Sequence, residues 1–170
     1  MGNNFNIRRA IENDAEQIIK HTKIVLTENP HVMGTTLEEF TTTIEEEKEW
    51  INSHQKQGLL LVAEVDENII GILNFCLSPR KKFRHQGLFG MSIQEAFTNK
   101  GIGGSLIKKL LEWAKDDNRV EKISLEVFSN NERAIHLYKK FGFTEEGRRI
   151  KQAKLGSNEY VDDILLSKFI

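Results

Sequence analysis

Between Gly87 and Gly142 the chain runs through an apolar strand, a glycine-rich turn, an amphipathic helix, a second apolar strand and a short helix. No other stretch constrains the fold as strongly, because a helix joining two strands of one sheet leaves those strands parallel. The strands span about Gly87–Ile93 and Lys122–Phe128, the latter with Ile123, Leu125 and Val127 on one face. The helix between them, Gly103–Asp117, places Leu106, Ile107, Leu110, Leu111 and Ala114 on one side. Lys108, Lys109, Glu112, Lys115 and Asp116 take the other. Asn131–Phe141 is a second helix, closed by Gly142 in the usual C′ position.

The flanking segments add antiparallel strands. Phe5–Ile11 reads as a first strand, after which Asn13 or Asp14 caps a helix with Ala15, Ile18, Ile19, Thr22, Val25 and Leu26 inward. Asn29-Pro30 to Gly34 breaks that helix, and a second is expected from about Thr36 to Gln57, with Phe40, Ile44, Trp50 and Ile51 buried and Gly58 as its stop. Leu59–Val65 and Ile69–Leu77 pair across Asp66-Glu67-Asn68, and Phe143–Lys154 pairs with Tyr160–Phe169 across Gly156-Ser157-Asn158. The fold class is therefore α/β in the α+β sense: a mixed, mostly antiparallel sheet, helices on both faces, and parallel fourth and fifth strands. No linker or repeat divides residues 1–170, which are expected to form a single domain.

Composition narrows the function classes. Net charge is −1 from 24 basic and 25 acidic side chains, so bulk electrostatics give no reason to expect nucleic acid. The single Cys76 excludes an internal disulfide and any cysteine cluster for zinc, which suits a reducing cytosol. No apolar run spans a bilayer, Met1–Ile11 lacks a signal-peptide core, and Asn6 stands where a myristoylation signal after Met1-Gly2 wants Ser or Thr. The expectation is a cytoplasmic protein without metal, membrane or nucleic-acid partner.

The turn before the long helix reads Thr98-Asn99-Lys100-Gly101-Ile102-Gly103-Gly104-Ser105. A helix N-terminus presents unpaired N–H groups and partial positive charge, so it stabilises a phosphate wherever no Cβ obstructs approach. Gly101, Gly103 and Gly104 are expected to supply that clearance. A P-loop would place Lys after the glycines, whereas Lys100 precedes them. A dinucleotide fold would want the motif after an N-terminal strand. Downstream, Asn131 and Tyr138 share a helix face, roughly 10 Å apart along the axis, a span suited to two contacts with one extended ligand. The simpler reading makes Asn131 an N-cap and Tyr138 a core aromatic, and both readings are compatible.

Together these motifs resemble the acyl-CoA-binding half of the GNAT N-acetyltransferase superfamily. Lys100-Gly101-Ile102-Gly103 matches the end of its diphosphate motif, while Thr98 replaces the usual Arg or Gln. Asn131-Glu132-Arg133-Ala134 and Leu137-Tyr138, followed by Phe141-Gly142-Phe143, match its second motif with one inserted residue. Glu145-Glu146-Gly147-Arg148 and Tyr160-Val161-Asp162 resemble the branch with ribosomal-protein N-terminal and diamine acetyltransferases. The resemblance implies an acyltransferase using acetyl-CoA on a small-molecule or peptide amine. It further implies main-chain contacts from Met91 and Ile93 to the pantetheine arm, a diphosphate over Asn99 to Ser105 with Thr98 at the side-chain position before it, Asn131 on the cofactor, and Tyr138 near its sulfur as general acid.

Glu95, Glu126, Asp162 and Asp163 are unranked candidates for the base, alongside a water chain. Cys76 reads as a buried structural thiol, and His136 as facing solvent away from Tyr138. Arg80-Lys81-Lys82-Phe83-Arg84-His85 and Glu45-Glu46-Glu47-Lys48-Glu49 read as solvated charge, the acidic run mattering only for a polyamine acceptor. A homodimer is expected from family habit and an exposed edge at Ile164-Leu165-Leu166. The competing functional readings are a catalytically silent CoA-binding or regulatory domain and a nucleotide-binding module.

Overall fold

A computed structural model describes residues 4–170. Met1-Gly2, on which the myristoylation reading turned, lie outside the described residues. Seven strands form one sheet: β1 (Asn6–Arg9), β2 (Gly58–Val65), β3 (Asn68–Leu77), β4 (Gln86–Ile93), β5 (Lys122–Phe128), β6 (Thr144–Lys154) and β7 (Tyr160–Phe169). Their order is β1-β2-β3-β4-β5-β7-β6, and only β4–β5 is parallel. Four helices, α1 (Ala15–Glu28), α2 (Ile44–Gln57), α3 (Ile102–Asp116) and α4 (Glu132–Lys140), complete the mixed α/β architecture expected from the sequence. Among the described residues no helix is long and apolar enough to cross a membrane.

Each sheet face carries its own core. Ala15 and Ile18 from α1 and Ile51 from α2 pack on Leu60, Val62, Ile69 and Ile72. On the other face Leu106, Ile107 and Leu110 from α3, all fully buried, pack with Leu73, Phe75, Ile123 and Leu125. Burying each such side chain contributes about 1.5–3 kcal/mol, so α3 is fixed by its apolar stripe rather than by capping.

Three expectations need correction. The helix expected from Thr36 begins only at Ile44, because Thr43 and Glu46 form a capping box that starts it afresh. Thr36 and Glu39 make a similar but separate turn upstream, and Ile44, expected inside, is 45% exposed. At α1 the Asp14 carboxylate caps nothing in the helix. It accepts from the Ile11 amide and pairs with Arg8 at 2.7 Å, tying β1 to the helix entry. Finally, β7 lies between β5 and β6, so the exposed edge invoked for a homodimer is absent there. The true edge, β6, is charged and broken by a register shift after Arg149, with Lys151 at φ 51°, features that discourage edge pairing.

β3 and β4 approach so closely at Gly87 that an added Cβ would collide with the Cys76 carbonyl and the Phe75 ring. Gly87→Val should therefore destabilise the fold by about 1–3 kcal/mol, read as a lower urea midpoint at unchanged slope.

Candidate active site

Parallel pairing of β4 with β5 ends after three register pairs, the last being Leu88 with Ser124. Beyond that point β4 continues along β3 to Ile93, and β5 continues along β7 to Phe128, so the two strands separate. The Gln94 N–H donates to Ile70 and the Gln86 carbonyl accepts from Ser78, so even-numbered β4 residues turn their main chain to β3. The His85 carbonyl accepts from Glu121 and Lys122, on the β5 side. Alternation along an antiparallel strand then directs the N–H and C=O groups of Phe89, Met91 and Ile93 into the gap. These include the two residues from which main-chain contacts were expected.

Two cavities open onto the gap. The first, about 290 Å³, lies between the end of β4, the glycine-rich turn and α4. The second, about 870 Å³, lies between α2, the loop before it and the opposite sheet face. They share Val32, Met33, Met91, Ser92, Asn131 and Tyr138. The two cavities thus meet where the strands part.

Of the residues expected to hold the cofactor, Met91, Ile93, Thr98, Asn99, Gly101, Ile102, Gly103, Gly104 and Asn131 line the first cavity, whereas Lys100 and Ser105 do not. Lys100 lies over the Phe97 ring at 5.3 Å, and the Ser105 amide makes the first helical bond, to Gly101. The amides of Ile102, Gly103 and Gly104 precede that bond and have no helical acceptor. Gly101 is left-handed at φ 83°, and a Cβ there would meet nothing within 4 Å.

Gly103 does something other than expected. A Cβ on it would lie 2.9 Å from Leu137 Cδ2 and 3.3 Å from Ile93 Cδ1. Its bareness lets α3 close against α4 and β4, while Gly101 and Gly104 leave open space or only a ring contact where a Cβ would stand.

Thr98 receives a guanidinium from elsewhere in the chain. Arg133 on α4 donates to Thr98 Oγ1 at 3.2 Å and to both carboxylate oxygens of Glu95 at 3.1 Å. A positive group therefore stands beside the position where the resemblance expects Arg or Gln.

On α4 the Asn131 carbonyl oxygen accepts from the Ala134 amide at 3.3 Å, so the residue is an N-cap that also faces the cavity. Tyr138, two turns on, is 6% exposed and lines both cavities. Its ring meets Phe89 edge-on at 5.5 Å and Phe143 at 6.3 Å. Burial pushes its phenol up to about 12. His136 is exposed on the same helix, at the rim of the first cavity.

The base candidates separate by position. Glu126 and Asp163 line the second cavity, but Arg149 holds them at 3.0 and 2.7 Å. Glu95 is occupied by Arg133, and Asp162 by Arg148 and the Lys151 amide. Neither of the latter pair lines a shared wall. Cys76 is half-buried and lies in neither cavity.

Two residues escaped the sequence reading. Buried His21, pushed down to about 4 by desolvation, is neutral and bonds Ser92 Oγ at 2.9 Å while the Gln94 amide reaches its other nitrogen. It fixes a hydroxyl that lines both cavities. Glu47, read as solvated, is 6% exposed and lines the second cavity. Its helical stripe with Ile51 and His54 was the available signal.

Gly104→Asp tests the cradle. A Cβ there meets only the Phe141 ring at 3.4 Å, and an acidic residue in a first helical turn is favourable to the helix. The melting temperature should hold or rise, while affinity for CoA measured by titration should fall at least about tenfold through charge repulsion.

The acetyltransferase (GNAT) family profile matches residues 26–143. An L-amino acid N-acetyltransferase of Escherichia coli is 34% identical over 108 residues, 64% of this chain and 66% of that protein. An N-alpha-acetyltransferase of Sulfurisphaera tokodaii is 29% identical over 85% of this chain and 83% of its own. The crystal structure of a GNAT-family acetyltransferase from Streptococcus pneumoniae superposes with a TM-score of 0.92 at 28% identity, covering 98% of this chain and 99% of that one. With its parted parallel strands and its glycine-rich helix start, the chain belongs to the GNAT family of acetyl-CoA-dependent acyltransferases.

Proposed function

We propose that the protein transfers an acetyl group from acetyl-CoA to a primary amine by direct attack, with Tyr138 as the general acid. The carrying observation is that two cavities on opposite sides of the sheet meet at one buried tyrosine. In this reading the unpaired amides of Ile102–Gly104 receive the diphosphate, and Arg133 adds charge beside Thr98. The main chain of Met91 and Ile93 pairs with the pantetheine arm as an added strand would. Acetyl-CoA supplies an activated thioester carbonyl at the gap.

The protein's own chemistry is then proton placement. A phenol near 12 stays protonated throughout the neutral range, so Tyr138 always carries the proton a departing thiolate needs. In water a thiol titrates near 8.5, about 1.5 below a phenol. Burial of both groups raises both values, so desolvation alone does not defeat the transfer. A main-chain N–H at the β4 end stabilises the developing oxyanion. Burial raises the Cys76 thiol above its usual value, and its position outside both cavities keeps that thiol out of the transfer. The two relatives named above, an L-amino acid N-acetyltransferase and an N-alpha-acetyltransferase, differ in the acceptor their names give.

Tyr138→Phe keeps the ring against Phe89 and Phe143 and removes only the transferable proton. kcat for thiol release should fall about 10²- to 10⁴-fold with acetyl-CoA affinity little changed. The wild-type profile should show no loss of activity from Tyr138 ionisation below pH 10. Turnover within about threefold of wild type would remove Tyr138 from the chemistry. Acetyl-CoA at a hundred times its Kd should stabilise the protein by about 2.7 kcal/mol, with ATP and NAD giving no shift. Such a shift with no amine consumed would mark a silent CoA-binding domain.

A further inference from the structure

The second cavity is lined by five carboxylates, Glu39, Glu46, Glu47, Glu126 and Asp163, and by no Lys, Arg or His among the described residues. Their situations differ. Glu126 and Asp163 are bridged by Arg149, which reaches them from outside the lining. Glu39 and Glu46 accept from Thr36 and Thr43 at exposed turns, bonds that leave their negative charge uncompensated. Glu47 makes no side-chain hydrogen bond or ion pair and is 6% exposed. Its carboxylate oxygens are not sealed in the core but face the cavity, where an entering cation can pair with a carboxylate that has little water around it. Between the acidic groups stand aromatic side chains, Phe40, Trp50 and Phe128, that suit methylenes and cations alike.

We propose that this cavity receives a small aliphatic di- or polyamine as the acetyl acceptor, with the Glu47 carboxylate binding one of its ammonium groups. The inference rests on the acetyltransferase reading for what happens next, but the binding itself does not depend on it. An amino acid brings a carboxylate beside its amine into a wall of like charge. A peptide N-terminus brings one cation and a row of amides. A polyamine brings several cations joined by methylenes, matching dispersed carboxylates joined by aromatic rings. Burial pushes the Glu47 carboxyl up to about 6, so it is still ionised at neutral pH and available to a cation.

Isothermal titration of spermidine into the protein without acetyl-CoA reads the site directly, and thiol release at saturating acetyl-CoA reads its use. Glu47→Gln is nearly isosteric and removes a buried charge. It should weaken spermidine about 10- to 100-fold, the usual worth of a hydrogen bond to a charged group. The spermidine KM should rise in parallel with kcat little altered. Glu47→Asp keeps the charge one methylene further back and should fall between the two. Glu45→Gln, on the exposed side of the same helix, should change neither reading. The inference is overturned if spermidine does not bind, if a folded Glu47→Gln binds it as wild type does, or if an L-amino acid or free-N-terminal peptide is the better ligand. A fall in kcat at constant KM would make Glu47 a base rather than an anchor, and also overturns it. Absence of both an acetyl-CoA thermal shift and thiol release would defeat the acetyltransferase reading alone, because the titration still decides on Glu47.

Discussion

The site depends on a parallel pairing that stops early. β4 and β5 share only Gln86–Leu88 and Lys122–Ser124, and each is held over its full length on its other edge, by β3 and by β7. Two strands so anchored diverge without unravelling, and the sheet keeps its cores on both faces. Divergence has a cost, because main-chain groups inside a protein need partners. The groups of Met91 and Ile93 find none in β5, and a ligand running beside β4 can supply them. The gap is thus an unpaired edge inside a sheet whose outer edges are short or charged.

The same opening explains why one tyrosine reaches both sides of the sheet. Tyr138 belongs to the core with α3, stacked edge-on against Phe89 and near Phe143. Anywhere else along the sheet a strand would separate it from the opposite face. Here its position next to Met91 and Ser92 in both cavity walls gives it access to each. Packing also fixes it: a ring between two other rings has little rotational freedom, so its hydroxyl is placed before any ligand arrives. The neutral His21 does a comparable service for Ser92 from α1.

Local chemistry made most of this legible in the sequence. The strand–helix–strand order predicts the parallel pair, the α3 stripe predicts its buried face, and Gly142 at φ 88° is the expected helix stop. Readings failed where a long-range neighbour decides. Gly103 looked like ligand clearance, yet Leu137, thirty-four positions away, is what its missing Cβ admits. β7 looked like an edge because its hairpin pairing with β6 was visible in sequence while its pairing with β5 was not. The start of α2 failed for a local reason. Thr36–Glu39 and Thr43–Glu46 are both capping signals, and only the second opens a helix.

Glu47 joins these points. In the run from Glu45 to Glu49 composition alone assigns one fate to every carboxylate, and a solvated face is the ordinary one. Helical phase assigns different fates. Once α2 begins at Ile44, Glu47, Ile51 and His54 fall on one inward stripe, whereas Glu45 and Glu49 turn to solvent and Glu46 stays exposed at the cavity rim. Ile51 meets hydrophobic side chains from the sheet. Glu47, one turn nearer the helix start, passes beyond that packing and meets the cavity instead. A four-residue step along one helix face thus separates a structural position from one that confronts the second cavity. That difference depends on where the helix starts, which Thr43 sets.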